Sequence, residues 1–471
     1  MSDILNQGDN KLKCQKFTPM EVVSDMLNLA DYNHYLFGKK VLEFSFGTGN
    51  ILASIVERYI RDAIASGLSR EKVAEGLSTD IYGIELDKEL YRKCIGRLNQ
   101  VVASYGLPSI MWSLENTDAV HWNSQVQFDY VIGNPPYISY HDIDSDNREF
   151  IRENFDTCKF GKFDYCYAFI EKGLKALAPA GKMCLLVPSN IYKNVYANRL
   201  RETLKPGLVE LWEYPDNPLF DGTLTSSSIF LFCKGNNNGV LQYKNATKDT
   251  TINICKAELG CKWVFETKSA SVGKKRFGEL FNASIAVATQ YNKAFVIKDD
   301  FEQYETVSLK QAAAPRTLRA GKKEMIIFPY YYDNNGTLCK YTEEEFKQRF
   351  PLSYAHLKEF KEDLINRDAD KNAKWYEYGR SQALAHLQQE KLLLSTVVST
   401  SVELYRLTAD CIPYSGIFVT VKKRGKTLDD AVKILRSDEF FHYVMSIGIS
   451  INGKSKRITC KDINDYLFEE V

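Results

Sequence analysis

The stretch FDYVIGNPPY, residues 128 to 137, decides how this chain is read. Its first six residues form a short apolar run of strand length, and Asn134, Pro135, Pro136 and Tyr137 then leave the sheet at its carboxyl edge. Open α/β sheets hold their ligands at that edge. Two successive prolines remove two backbone N–H donors and fix φ, so the carbonyls of Asn134 and Pro135 become stiff acceptors directed out of the fold. An amino group with two donors suits them: the Asn134 side-chain oxygen and the Pro135 carbonyl can each accept one N–H, and the Tyr137 ring offers a flat face to a planar base. A proline turn closing a strand is the plain alternative for the tetrapeptide taken alone.

Working outward, KKVLEF (39 to 44) reads as a second strand that runs into SFGTGN, with Gly47 and Gly49 at the turn and the helical stretch ILASIVERYI behind it. Glycines at such a turn let backbone approach a cofactor closely, although a lone GxG is weak. The next unit strengthens it. IYGIELD (81 to 87) ends in Glu85 and Asp87, and an acidic residue after the second strand is the usual clamp for ribose hydroxyls; Glu85 comes first after the apolar run. SLENTDAVHW (113 to 122) then places Asp118 where a carboxylate can accept from an adenine amino group, or serve as an ordinary helix cap.

These residues resemble the adenine-N6 DNA methyltransferases that use S-adenosylmethionine, in the Taq-type branch with cofactor motifs first and target recognition last. The resemblance runs motif by motif over residues 16 to 235. KFTP, with Thr18, is similar to the opening motif at the methionine end of the cofactor, and VLEFSFGTGN to the glycine motif with Glu43 as its acidic member. IELD, TDAV with Asp118 and Ala119, and NPPY follow in the family order. By resemblance Phe169, in the helical FDYCYAFIEKGL, lies against the cofactor adenine, or else in the core, and Phe220, in LFDGTLTSSSIFLF, stacks on an extruded base. One departure is Phe44, where many relatives carry proline. The resemblance implies a Rossmann-like α/β domain with a seven-stranded, mostly parallel sheet over residues 1–262, and an α+β target-recognition domain over 263–471. It implies a site-specific adenine methyltransferase (EC 2.1.1.72) that takes its adenine out of the duplex, with double-stranded DNA as substrate. A cognate restriction endonuclease acting separately is a possible partner, and a cytoplasmic monomer is expected.

Composition fits this reading without leading to it. The 471 residues allow two or three domains, and a 44% hydrophobic content supplies buried cores. The 11 cysteines form no CxxC and the 6 histidines no ligand-spaced cluster, so no metal is expected and the thiols read as free in a reducing compartment. The amino terminus is not signal-like, and no apolar run reaches the ~18 residues of a membrane span. Residues 261 to 471 carry 33 Lys and Arg against 28 Asp and Glu, whereas the first 260 carry 28 against 32, so the second half is the expected phosphate partner. There, FGELFNASIAVATQYNKAFVI (277 to 297), with Asn292 and Lys293, and WYEYGRSQAL (375 to 384), with Arg380 and Gln382, carry side chains suited to base edges. YTEEEFKQRF (341 to 350) reads as a solvated helix. Three other readings are weighed: an NPPY-type enzyme acting on RNA or protein glutamine, a fused restriction enzyme, for which no nuclease module is seen, and a recognition subunit without catalysis.

Overall fold

A computed structural model describes residues 18–214, 226–265, 273–380, 382–452 and 455–469. The chain divides into two compact units, Met1–Thr267 and Lys268–Val471.

The first unit is built on one sheet. After α1 (Met20–Leu29), the chain forms β1 (Val41–Phe44), α2 (Asn50–Ala65), α3 (Arg70–Asp80), β2 (Ile81–Ile84), α4 (Lys88–Ser104), β3 (Ser113–Glu115) and β4 (Phe128–Gly133). It continues with α5 (Ser145–Asn154), α6 (Cys166–Ala176), β5 (Leu177–Pro188), α7 (Asn198–Leu204), β6 (Leu208–Tyr214) and β7 (Ser227–Cys233). The strand order is 3-2-1-4-5-7-6, with β1 to β5 parallel and β7 antiparallel between β5 and β6. The chain thus winds outward from β1 on one side and then from β4 on the other. The loops after these two adjacent strands diverge, and the crevice they leave is the binding position of doubly wound sheets.

The sheet does not stop at seven strands. β8 (Val240–Asn245) adds parallel to β6 and β9 (Thr250–Cys255) antiparallel to β8, giving nine. Residues 240–255 therefore extend the sheet, with β9 at its edge. Only alternate positions of VLQYKN are buried, as on a strand that faces water on one side.

Local sequence explains the central elements. All four residues of β1 are buried, which demands the near-continuous apolar run of a strand covered on both faces. Its side chains alternate: Val41 joins Met26, Leu52, Ile55 and Ile132 on one face, while Leu42 and Phe44 join Phe128, Val131 and Ile170 on the other. α2 buries Ile51, Leu52, Ile55, Val56, Tyr59, Ile60 and Ala63, a stripe at helical spacing. Asp87 caps α4 by accepting from the N–H groups of Glu89 and Leu90.

The boundary expected after residue 262 falls too early. Trp263 is fully buried in the first unit's core, stacks on Tyr192 with ring centroids 5.9 Å apart, and donates its backbone N–H to the Tyr192 carbonyl. Cutting before it would remove a large apolar side chain from that core.

The second unit is α+β. One four-stranded sheet joins Phe281–Ile285, Ile417–Val421, Lys391–Leu394 and Leu404–Leu407, and another joins Val296–Ile297, Glu324–Ile327, Leu309–Ala313 and Ile412–Pro413. The helix expected near 341 to 350 is Glu343–Arg349, closed by a reciprocal Thr342/Glu345 capping box and anchored by buried Phe346. No helix among the described residues is long and apolar enough to cross a membrane.

Candidate active site

The loops leaving β1 and β4 set the site. Past β1, Gly47 and Gly49 take left-handed φ of 58° and 79°. Gly49 starts α2, and a Cβ there would stand 2.5 Å from the Cys94 Sγ of α4, so only glycine admits this close approach. The Gly47 N–H donates to Glu85 Oε2 at 2.8 Å, and Glu85 Oε1 accepts from the Asp87 N–H at 2.8 Å. The residue after the second strand thus holds the glycine turn in place, and its carboxylate keeps lone pairs for further donors.

Glu43 lies within β1 and is buried; its Oε2 has no partner among the described residues. Burial pushes its carboxyl well above the usual range, the neighbouring Glu85 charge adds to this, and the Leu52 N–H opposes it. Burial likewise raises Glu85, against the hydrogen bonds from Asp87 and Gly47. A buried acidic pair beside a glycine turn suits a cationic, hydroxyl-bearing guest.

Past β4, the Asn134 carboxamide is fixed at one end and open at the other. Its Nδ2 donates to the hydroxyl of buried Thr18 at 3.2 Å, which leaves Oδ1 buried with no partner among the described residues. Thr18 also ties in the glycine side, since its carbonyl accepts from the Asn50 Nδ2 of α2 at 3.4 Å. This orienting role of Thr18 was not visible in the sequence, because 116 residues separate the two partners. Pro135 is buried, and no described residue donates to its carbonyl. Tyr137 is half-buried, with its hydroxyl donating to the Leu186 carbonyl of β5 at 3.0 Å; that bond fixes the ring. At the end of β5, Ser189 Oγ and Asn190 Oδ1 are two further buried polar atoms without a described partner, neither of them singled out by the sequence.

The third acidic position is a turn. Asp118 Oδ1 accepts from the Val120 N–H at 2.9 Å, and Ala119 and Val120 are buried beneath it. Lys172 of α6, also unforeseen, donates its Nζ to the Val120 carbonyl at 2.8 Å. Burial pulls the Lys172 ammonium down to about 8, and the Asp118 charge opposes this. A lysine within the apolar stretch FDYCYAFIEKGL was the one available signal. Phe169 is buried, edge-on to Phe44 at 6.1 Å and tilted against Tyr165 at 5.3 Å. It packs in the same cluster as Ala119 and Val120. Phe220 lies outside the described residues.

Three of the second unit's four expected base-reading residues are engaged with the protein itself. Arg380 pairs with Asp368 at 2.8 Å and Asp370 at 3.4 Å, and its N–H donates to the Ala288 carbonyl. Asn292 Oδ1 accepts from the Thr289 hydroxyl at 2.5 Å, and Lys293 lies over the Phe360 ring at 5.7 Å. Gln382 is exposed. Beneath them Arg367 ties loops together, donating to the carbonyls of Thr289, Lys374, Trp375 and Glu377.

Comparison with known proteins bears on this geometry. Residues 80–220 match the family described as Eco57I restriction-modification methylase. The chain is 29% identical over 211 residues to the type II methyltransferase M.BstVI of Geobacillus stearothermophilus, covering 42% of this chain and 37% of that protein. It is 30% identical over 209 residues to the type II methyltransferase M.PaeR7I of Pseudomonas aeruginosa, covering 42% and 36%. The chain thus spans little more than a third of the length of these curated relatives. Among solved structures, the type IIL restriction-modification enzyme MmeI in complex with DNA superposes with a TM-score of 0.58 at 10% identity, over 95% of this chain and 64% of that one, a likeness of fold.

Proposed function

We infer that the first unit is a restriction-modification methylase domain of Rossmann-like fold that takes S-adenosylmethionine as its cofactor. We propose that the chain is a sequence-specific DNA methyltransferase acting on N6 of an adenine taken out of the duplex, with the second unit selecting the DNA site and a cognate endonuclease acting as a separate protein. The observation that carries this reading is the buried Asn134 Oδ1, left open by the Thr18 hydrogen bond beside the Pro135 carbonyl, neither with a partner among the described residues.

The residues present fit the cofactor. Glu43 Oε2 is an orphaned buried acceptor suited to an ammonium, Glu85 retains acceptor capacity for ribose hydroxyls, and Asp118 with Ala119 and Phe169 forms the turn and wall for an adenine ring. When bound, S-adenosylmethionine supplies the electrophilic methyl group.

The chain does the rest. Adenine N6 is a poor nucleophile because its lone pair is delocalised into the ring. Asn134 Oδ1 and the Pro135 carbonyl accept its two hydrogens in divergent directions, which favours a pyramidal nitrogen whose lone pair is free for in-line attack. Asn134 polarises and positions without acting as a base, and the proton that N6 sheds once it is methylated leaves to solvent. The fixed Tyr137 ring stacks on the extruded base, and such stacking is worth about 1–3 kcal/mol, against roughly a few kcal/mol for unstacking and unpairing. Phe220 is proposed for the opposite face.

Expression in a host lacking its own adenine methylation, with modification-sensitive sequencing of the host DNA, tests the proposal. Methylated adenines at one short recurring sequence are expected. Unmodified DNA alongside methylated RNA or protein would overturn it.

A further inference from the structure

The carboxyl edge of the sheet carries a second feature that the site above does not use. The connection from β4 to α6 passes through Lys159-Phe160-Gly161-Lys162, and the loop after the parallel neighbour β5 carries Val195 and Tyr196; both segments come after carboxyl ends of adjacent strands. Phe160 is 81% exposed, and Val195 and Tyr196 are also exposed. An apolar group of this kind on a floppy tip would mean little. This tip is braced. Arg152 of α5 donates to the carbonyls of Gly161 at 3.1 Å and Lys159 at 3.4 Å, and it is itself held by the Tyr140 hydroxyl at 2.8 Å. Gly161 turns with φ of 74°, and the Tyr196 ring occupies the place a Cβ would take. Four residues beyond the tip, the Tyr165 N–H donates to the Ile138 carbonyl at 2.9 Å, so the segment returns directly to the end of the NPPY turn.

Charge names the occupant. Lys159 and Lys162 flank Phe160 in the chain, Arg199 lies within electrostatic reach of Asp156 just before it, and all three are exposed. Lys159 is held by Asp156 at 2.6 Å, and Lys162 donates to or shares a proton with the His141 ring at 3.2 Å. An exposed phenyl on a braced backbone, between cations and beside a turn proposed to receive an extruded base, matches a duplex: phosphates meet the cations, and an apolar wedge fills or opens a base step. We propose that Phe160 is a DNA wedge of the catalytic unit, inserted next to the target adenine to stabilise its extruded state, with Lys162 and Arg199 gripping the flanking phosphates. The proposal rests on the DNA reading above and adds a specific group to it.

The test uses the full-length protein and a duplex carrying its own methylation sequence, with 2-aminopurine at the target. Phe160→Ala should lower both the fluorescence enhancement and the single-turnover methylation rate by roughly tenfold, as expected for loss of one aromatic contact with a base. Affinity for S-adenosylmethionine and thermal stability should not move, because the side chain is exposed, and Phe160→Trp should restore most of the enhancement. Lys162→Ala with Arg199→Ala should reduce the salt dependence of DNA binding. A Phe160→Ala protein with wild-type enhancement and rate on purified DNA would overturn the wedge, even if methylation in cells fell, which would mark the tip as a surface for another protein. Failure of the wild-type protein to methylate any DNA would instead overturn the underlying functional reading.

Discussion

The two units hold their candidate ligand-binding groups in opposite ways. At the crevice between β1 and β4, acceptors are left open: Asn134 Oδ1 and Glu43 Oε2 are buried without partners among the described residues. In the second unit, the groups with the right chemistry for base edges are spent internally, Arg380 on Asp368 and Asp370, Asn292 on Thr289. An unpaired buried polar group costs about 1–3 kcal/mol, so each calls for a physical cause, and those that line the crevice are the candidates for ligand contact. On the reading proposed above, the crevice holds its ligand-binding acceptors open in the free protein, whereas the second unit has to exchange internal pairs for DNA.

The sharpest way to break this contrast is to disturb the bond that leaves Asn134 open. Thr18→Val keeps shape and removes the hydroxyl acceptor, so Nδ2 loses its partner and the carboxamide is free to turn. Methyl transfer at saturating cofactor should fall roughly tenfold, a size in keeping with one lost buried hydrogen bond; an unchanged rate would show that Thr18 does not set the orientation.

Glu43 supplies the next test, through stability. Its folded carboxyl lies above the ordinary value of 4.5, so it contributes most at low pH, and that contribution is lost as pH rises through the folded value. Glu43→Gln should raise the melting temperature of the cofactor-free protein by a few degrees at neutral pH and flatten its decline with pH. The same variant should bind S-adenosylmethionine several-fold more weakly. Melting curves at two pH values together with calorimetry check both, and a destabilised variant with normal affinity would place Glu43 outside the site.

Arg380 gives the smallest expected effect. A free arginine reading guanine is worth about 1–3 kcal/mol of discrimination, but here the carboxylates of Asp368 and Asp370 must first be displaced. Arg380→Ala should therefore cost about 1 kcal/mol on the cognate site, with preference relaxed at one base pair. Binding assays across single-base variants distinguish that outcome from a uniform loss, which would make Arg380 a phosphate contact.

Legibility in the sequence divides along the same line. FDYVIGNPPY and VLEFSFGTGN were legible because buried parallel strands require continuous apolar runs, and prolines or glycines mark where the chain must turn. The last two strands, β8 and β9, were not, since residues such as Gln242, Lys244 and Thr251 alternate with few buried ones. Nor was the Trp263 packing, which moved the end of the first unit past residue 262. The Thr18–Asn134 and Lys172–Val120 bonds join residues far apart in sequence, and no spacing rule reports such pairs. The partners of Arg380 lie ten and twelve residues upstream of it in a loop, where periodicity carries no information.

The central claim is that the open oxygen of Asn134 acts on the target amine and not on the cofactor. Single-turnover methylation of cognate DNA by Asn134→Ala, measured beside calorimetric affinity for S-adenosylmethionine, tests it most directly. The account expects methyl transfer to fall by about 100- to 1000-fold, the usual consequence of losing one preorganised polar contact at a reacting centre, with cofactor affinity within a small factor of wild type. Loss of transfer and cofactor binding together would contradict it and make Asn134 a structural residue of the crevice.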